Sequence, residues 1–129
     1  MADRTVHTRW TGGMRAVTRA GRFEIVTDEP ETSGGTDTGP QPTDLLLASI
    51  SSCFVLALAF VAKRLGVVLV GIEVRAVGSY DGPRFARISM SVTSDSPREV
   101  LEGLMPEAER LCYVSNTLNR QAELSIELG

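Results

Sequence analysis

Histidine and cysteine are nearly absent from this sequence. One histidine, His7, and two cysteines, Cys53 and Cys112, are too few soft ligands for a structural zinc site. With a single imidazole there is no choice of base for a Ser-His-Asp arrangement, so metal and serine-hydrolase chemistry are set aside. Lysine is as scarce: Lys63 stands alone among 13 basic residues, which face 16 acidic ones for a formal net charge of −3. No basic run of the kind that nucleic acid requires is present. The sequence also lacks a Gly-rich phosphate loop, since Gly34-Gly35 has none of the remaining spacing, so no nucleotide or flavin cofactor is expected. It has no Cys-x-x-Cys motif, and no repeat or low-complexity segment. The N-terminal MADRTVHTRW has no apolar core of a signal peptide, which makes the expected location cytoplasmic. What remains, 129 residues of which 43% are hydrophobic and 22% charged, reads as one folded, soluble domain.

The pattern along the chain is that of an α+β domain with antiparallel sheet. Within residues 1–27, Val6–Trp10, Met14–Thr18 and Arg22–Thr27 read as short strands separated by Gly12-Gly13 and Ala20-Gly21. Residues 28–41 are turn formers and acids without an apolar period, a long loop of the kind that often carries function. Residues 42–65 read as a central helix, with Gln41 or Thr43 as cap, Pro42 at the first helical position and Gly66 beyond its end. Leu45–Ala62 carries no charge, so its apolar surface runs around the whole cylinder and must be covered on every side. A dimer that lays two such helices together meets that demand. A membrane span is the alternative, at the lower edge of the required length, with Lys63-Arg64 at its end. The clustered serines 49, 51 and 52 and the flanking strand patterns, which need an apolar cover, argue for the soluble reading. Residues 67–94 alternate with period two on either side of Asp81-Gly82-Pro83, a hairpin with one buried face. Residues 96–120 open with a capping box, Ser96-Pro97-Arg98-Glu99, and continue as an amphipathic helix kinked at Pro106, with a further turn at Ser115–Leu118. Residues 121–129 alternate as a last strand.

Two thiols in a reducing compartment are either inert packing or a pair that cycles. Cys53 lies mid-helix among Ser49, Ile50, Leu56 and Ala57, where burial quiets a thiol and the helix dipole has faded. Its reactivity would need an arginine against the sulfur. Cys112 closes the second helix, where a fraying last turn lets a thiol move.

The run Gly39–Phe54, GPQPTDLLLASISSCF, resembles the helix motif of the OsmC/Ohr family of hydroperoxide reductases, and Leu111–Leu118, LCYVSNTL, resembles that family's second cysteine motif. Trp10-x-Gly12-Gly13-Met14-Arg15 and Gly34-Gly35 also resemble the family. The resemblance implies an OsmC-like fold: an intertwined homodimer whose antiparallel sheet wraps a long apolar central helix and a second helix, with active sites at the interface. It implies that Cys53 attacks an organic hydroperoxide and that Cys112 resolves the sulfenic acid as a disulfide, which a dithiol reductant reopens.

That chemistry needs a thiolate, so a guanidinium must lie against its sulfur and a carboxylate must hold the guanidinium. Arg15 is the first candidate, Arg19 shares its strand parity, and Arg22 points to the other face. The resemblance expects a glutamate immediately after the motif proline; Thr43 stands there, and the acid comes one place later as Asp44. Asp44 is thus a candidate for the clamp or a favourable charge at the helix N-terminus. Tyr113 replaces the usual proline after the second cysteine. Phe54, Leu46, Ile50 and Met105 are candidate walls of an apolar pocket, or plain core. Three readings stay open: an organic hydroperoxide reductase, a family member that is a slow redox or small-molecule-binding dimer, and a structural dimer with inert cysteines.

Overall fold

The computed structural model describes residues 2–129; Met1, the first residue of the expected strand region, lies outside them. The described residues form an α+β structure with antiparallel sheets and three α-helices, and the chain groups into two compact units, the first ending at Leu46 and the second spanning Leu47–Gly129.

In the first unit, β1 (His7–Trp10), β2 (Ala16–Ala20) and β3 (Phe23–Thr27) form an antiparallel sheet in the order β1-β2-β3. Trp10 stands opposite Ala16, and Ala16 opposite Thr27. Gly12 and Gly13, at φ 104° and 56°, take the left-handed backbone that a side chain resists, and so turn the chain tightly between β1 and β2. Arg15 closes that turn: its N–H donates to the Gly12 carbonyl at 3.1 Å and its carbonyl accepts the Thr11 N–H at 3.0 Å. Residues 28–41 form the expected long loop, with one short 3-10 turn at Glu31–Ser33.

Helix α1, Pro42–Arg64, begins in the first unit and runs through the second. It has the length and apolarity to cross a membrane by composition alone. Only Ile50, Phe54, Ala57, Leu58, Val61 and Ala62 are buried along it within this chain. Leu56 and Phe60 remain 68% and 54% exposed, so one chain covers one side of the cylinder, not all of it.

In the second unit, β4 (Glu73–Tyr80) pairs with β5 (Phe85–Thr93), and the half-buried positions alternate as the period of two requires. Helix α2 (Arg98–Leu111) turns Leu104 and Ala108 inward and continues past Pro106; α3 (Tyr113–Asn119) follows directly. The core joins Phe54, Leu58 and Val61 of α1 to Leu104, Ala108 and Cys112, with Val74, Met90 and Val92 of the hairpin against them.

Two expectations are corrected. The capping box at Ser96 does not form: Pro97 caps α2 without a side-chain bond, because the Ser96 hydroxyl accepts the Val70 N–H at 2.8 Å instead. Among the described residues the expected last strand, 121–129, does not form, and Leu124, Ile126 and Leu128 are exposed. A strand exists by pairing with an edge, and this segment meets none in its own chain.

Candidate functional site

Cys53 and Cys112 meet the same hydrophobic cluster in the second unit. Cys112 is fully buried, and half-buried Cys53 packs against the cluster that contains it. Both are free thiols. Helix α1 places Cys53 by a regular turn; Ser51, two residues before it, returns its hydroxyl to the Leu47 carbonyl at 2.8 Å, as a serine inside an apolar helix must. Cys112 sits at the corner between two helices, with an extended backbone at φ −76° and ψ 102°. Its carbonyl accepts the Asn116 N–H at 3.0 Å and the Ser115 hydroxyl at 3.1 Å, which starts α3. Tyr113, in the place where the resemblance expects proline, is 83% exposed.

Of the pocket candidates, Phe54 and Met105 line one concavity of about 290 Å³ with Met90 and Val92 on its apolar side and Glu109, Ser115 and Asn119 on its polar side. Ile50 is core, and Leu46 is exposed.

The arginine candidates separate in the first unit. Arg19 reaches Glu24 at 3.8 Å, with both side chains largely exposed. Arg22 lies over the Phe23 ring, 5.0 Å from its centroid. Arg15 alone of the three is fixed by hydrogen bonds to hydroxyls: its Nε donates to Thr38 Oγ1 at 3.3 Å and an Nη donates to Thr11 Oγ1 at 3.1 Å. Asp44 serves the start of α1, where its Oδ2 accepts the Gln41 N–H at 3.0 Å. Its charge at the first turn also suits the helix dipole. Among the described residues, therefore, Asp44 and Arg15 do not meet in a hydrogen bond.

The loop before α1 holds a carboxylate that the sequence reading passed over. Asp28 is 1% exposed. Its Oδ2 accepts the hydroxyls of Thr36 at 2.6 Å and Thr38 at 2.7 Å and the Thr38 N–H at 3.1 Å. Its Oδ1 accepts the N–H groups of Glu29 at 2.7 Å and Thr36 at 3.4 Å. The Thr36 and Thr38 hydroxyls, followed by these backbone donors, hold the carboxyl far below the usual carboxylate range against the opposing effect of burial. Gly34 and Gly35 make the loop possible: Gly34 has φ 84°, and a Cβ on Gly35 would collide with the Glu29 carbonyl. The pair Thr36 and Thr38, eight and ten residues after Asp28 in a Gly-rich loop, was the signal available in the sequence.

Comparison with known proteins supports the same architecture. Residues 35–127 match the model of the family described as OsmC-like protein, a span that includes both cysteines. Among solved structures, a hypothetical protein from Aquifex aeolicus VF5 is similar over 95% of this chain and 91% of its own, at 19% identity and a TM-score of 0.77. An organic hydroperoxide resistance protein OsmC from Legionella pneumophila is similar over 92% and 91%, at 21% identity and a TM-score of 0.66. An organic hydroperoxide resistance protein from Elizabethkingia anophelis is similar over 93% and 91%, at 23% identity and a TM-score of 0.67. No curated protein matches the sequence significantly.

Proposed function

From the premise that the chain belongs to the OsmC-like protein family, we propose that it is a cytoplasmic, thiol-dependent reductase of organic hydroperoxides that works as a homodimer. The observation that carries this reading is the placing of Cys112 inside the hydrophobic cluster against which Cys53 packs. Two of the solved structures it resembles are named organic hydroperoxide resistance proteins, which supports a redox role.

The reaction closes in three steps. The Cys53 thiolate attacks the outer oxygen of a hydroperoxide, the O–O bond breaks, and the alkoxide leaves and takes a proton as the alcohol. Two electrons leave the sulfur, which becomes a sulfenic acid. The Cys112 thiol then displaces hydroxide from Cys53; a Cys53–Cys112 disulfide and one water result. A small dithiol reductant opens that disulfide by exchange, becomes a disulfide itself and returns both thiols.

The thiolate needs a cation to favour its charged form, and on the resemblance alone Arg15 is the candidate for that role. The apolar side of that concavity, Phe54, Met90, Val92 and Met105, favours an alkyl or lipid chain on the peroxide, whereas hydrogen peroxide gains nothing from it. The homodimer is supported by the exposed side of α1, with Leu56 and Phe60, and by the unpaired alternating segment of Leu124, Ile126 and Leu128. A second chain that covers the first and pairs the second satisfies both.

A second reading, a slow redox or small-molecule-binding dimer, is favoured by one observation: Asp44, the acid nearest the expected glutamate position, is engaged with Gln41. Turnover separates the two readings. With a dithiol reductant, the wild type should consume an alkyl hydroperoxide continuously and Cys53→Ser should not. Cys112→Ser should react once and hold a sulfenic acid that dimedone traps.

A further inference from the structure

Among the described residues Arg15 makes no direct bond to a carboxylate, yet one stands immediately behind its acceptor. Asp28 Oδ2 lies 2.7 Å from Thr38 Oγ1, which lies 3.3 Å from Arg15 Nε. An ionised carboxylate only accepts, and a threonine hydroxyl has one proton. The Thr38 proton therefore points at Asp28, and only its lone pairs face Arg15. Thr11 is fixed in the same sense, because its hydroxyl donates to the Arg15 carbonyl at 3.2 Å and so presents a lone pair to the guanidinium. Both acceptors of Arg15 are thus hydroxyls that cannot turn their protons toward it.

We infer that Asp28, acting through the Thr38 hydroxyl, is the positioning residue for Arg15, in place of the carboxylate missing at position 43; the inference rests on the peroxidase reading above. A hydroxyl polarised by a buried carboxylate is a stronger acceptor than a free one. The bond at Nε to Thr38, with the bond from Nη1 to Thr11, fixes the plane of the guanidinium. An intervening hydroxyl also keeps the anion one bond further from the guanidinium than a fork-shaped ion pair does. Less of the positive field is then neutralised before it reaches a thiolate. The rigid loop supplies the precision: Asp28 accepts from Glu29, Thr36 and Thr38, and its own N–H donates to the Pro40 carbonyl at 3.1 Å, just before α1.

The test uses the full chain, fully reduced, with Thr38→Val as the informative variant. It keeps the shape of the side chain and the backbone N–H to Asp28, and removes the relay together with the hydroxyl's bond to Asp28. Thr38→Ser restores the hydroxyl. The readouts are the single-turnover rate with tert-butyl hydroperoxide, the exchange rate of the Arg15 Nε–H proton by NMR, and the melting temperature. Thr38→Val should slow the peroxide step about five- to tenfold, the scale of one hydrogen bond, and speed Nε–H exchange. Thr38→Ser should recover most of both. On an Arg15→Met background, Thr38→Val should add no further loss of rate. A Thr38→Val protein as fast as a fast wild type, or a loss of rate that Thr38→Ser fails to recover, overturns the positioning role and leaves the peroxidase reading intact. A wild type no faster than free cysteine overturns the peroxidase reading itself, and the positioning role with it.

Discussion

Gln41 and Asp44 close the first turn of α1 on each other: the Gln41 N–H donates to Asp44 Oδ2 at 3.0 Å, and the Asp44 N–H donates to the Gln41 carbonyl at 3.0 Å. With Pro42 between them at the first helical position, this is the reciprocal arrangement that satisfies donors a helix start leaves open.

Asp44→Ala should accordingly lower stability by about 1 kcal/mol, the usual worth of a helix-start bond of this kind. Asp44→Asn, whose amide oxygen still accepts, should lose less. Urea unfolding of the three proteins checks the order. An Asp44→Ala protein that keeps its stability and loses its peroxide reaction would return Asp44 to the site.

Gly35→Ala should loosen the loop that holds Asp28. The added Cβ meets the Glu29 carbonyl, which is backbone and cannot step aside without moving its neighbours. The cost should be about 1–3 kcal/mol, as for other insertions into a closely packed place. Amide exchange at Thr36 and Thr38, whose N–H groups bond Asp28, should rise more than at β4 and β5.

Glu107 gives the acid limb of stability a definite sign. Its Oε1 and Oε2 accept from Arg110 at 2.6 and 3.0 Å, and Oε1 accepts from Arg64 at 3.1 Å. The Arg110 hydrogen bonds first, and Arg64 after them, pull its pKa down to about 2 from 4.5. The folded pKa is the lower one, so the contribution is complete above the ordinary carboxylate value and fades as pH falls toward about 2. Glu107→Gln should therefore be less stable than wild type at neutral pH, and the gap should narrow between pH 4.5 and 2. The effect is small, because the partners are half exposed and water screens the pair. Urea midpoints at several pH values give the comparison.

The exposed segment that ends the chain carries the prediction for assembly. Ile126→Asp should shift the protein from dimer toward monomer, since it places a charge in the middle of the alternating row Leu124, Ile126 and Leu128. Analytical ultracentrifugation at micromolar concentrations reads the shift. A wild type that sediments as a monomer would remove the dimer from the proposal.

What could be read from the sequence was whatever is written in local periodicity. The three strands of the first unit, the hairpin and α2 follow from spacing alone, because each element's neighbours are close in sequence. Helix α1 was legible through its unbroken apolar run and its proline start. Three features escaped because their causes are distant. The Ser96 hydroxyl is claimed by Val70, 26 positions away, so a motif that looked local was not used locally. Residues 122–129 have a strand's alternation and no edge within the chain, a partner no single-chain pattern can supply. Asp28 looked like one more turn former, and only the folded loop brings Thr36 and Thr38 back onto it. The two cysteines stand out by their scarcity, and Arg15 is a candidate through the run Trp10-x-Gly12-Gly13-Met14-Arg15 that resembles the family. What holds Arg15 became visible only in three dimensions.

The most direct test of the peroxidase reading is stopped-flow oxidation of the fully reduced protein by tert-butyl hydroperoxide and, separately, by hydrogen peroxide, with thiol counting and peptide mapping of the product. The expected result is rapid loss of two thiols with the organic peroxide, a slower reaction with hydrogen peroxide, and a single intramolecular bond between Cys53 and Cys112. Two thiols that survive, or that oxidise no faster than free cysteine at the same pH, would contradict it.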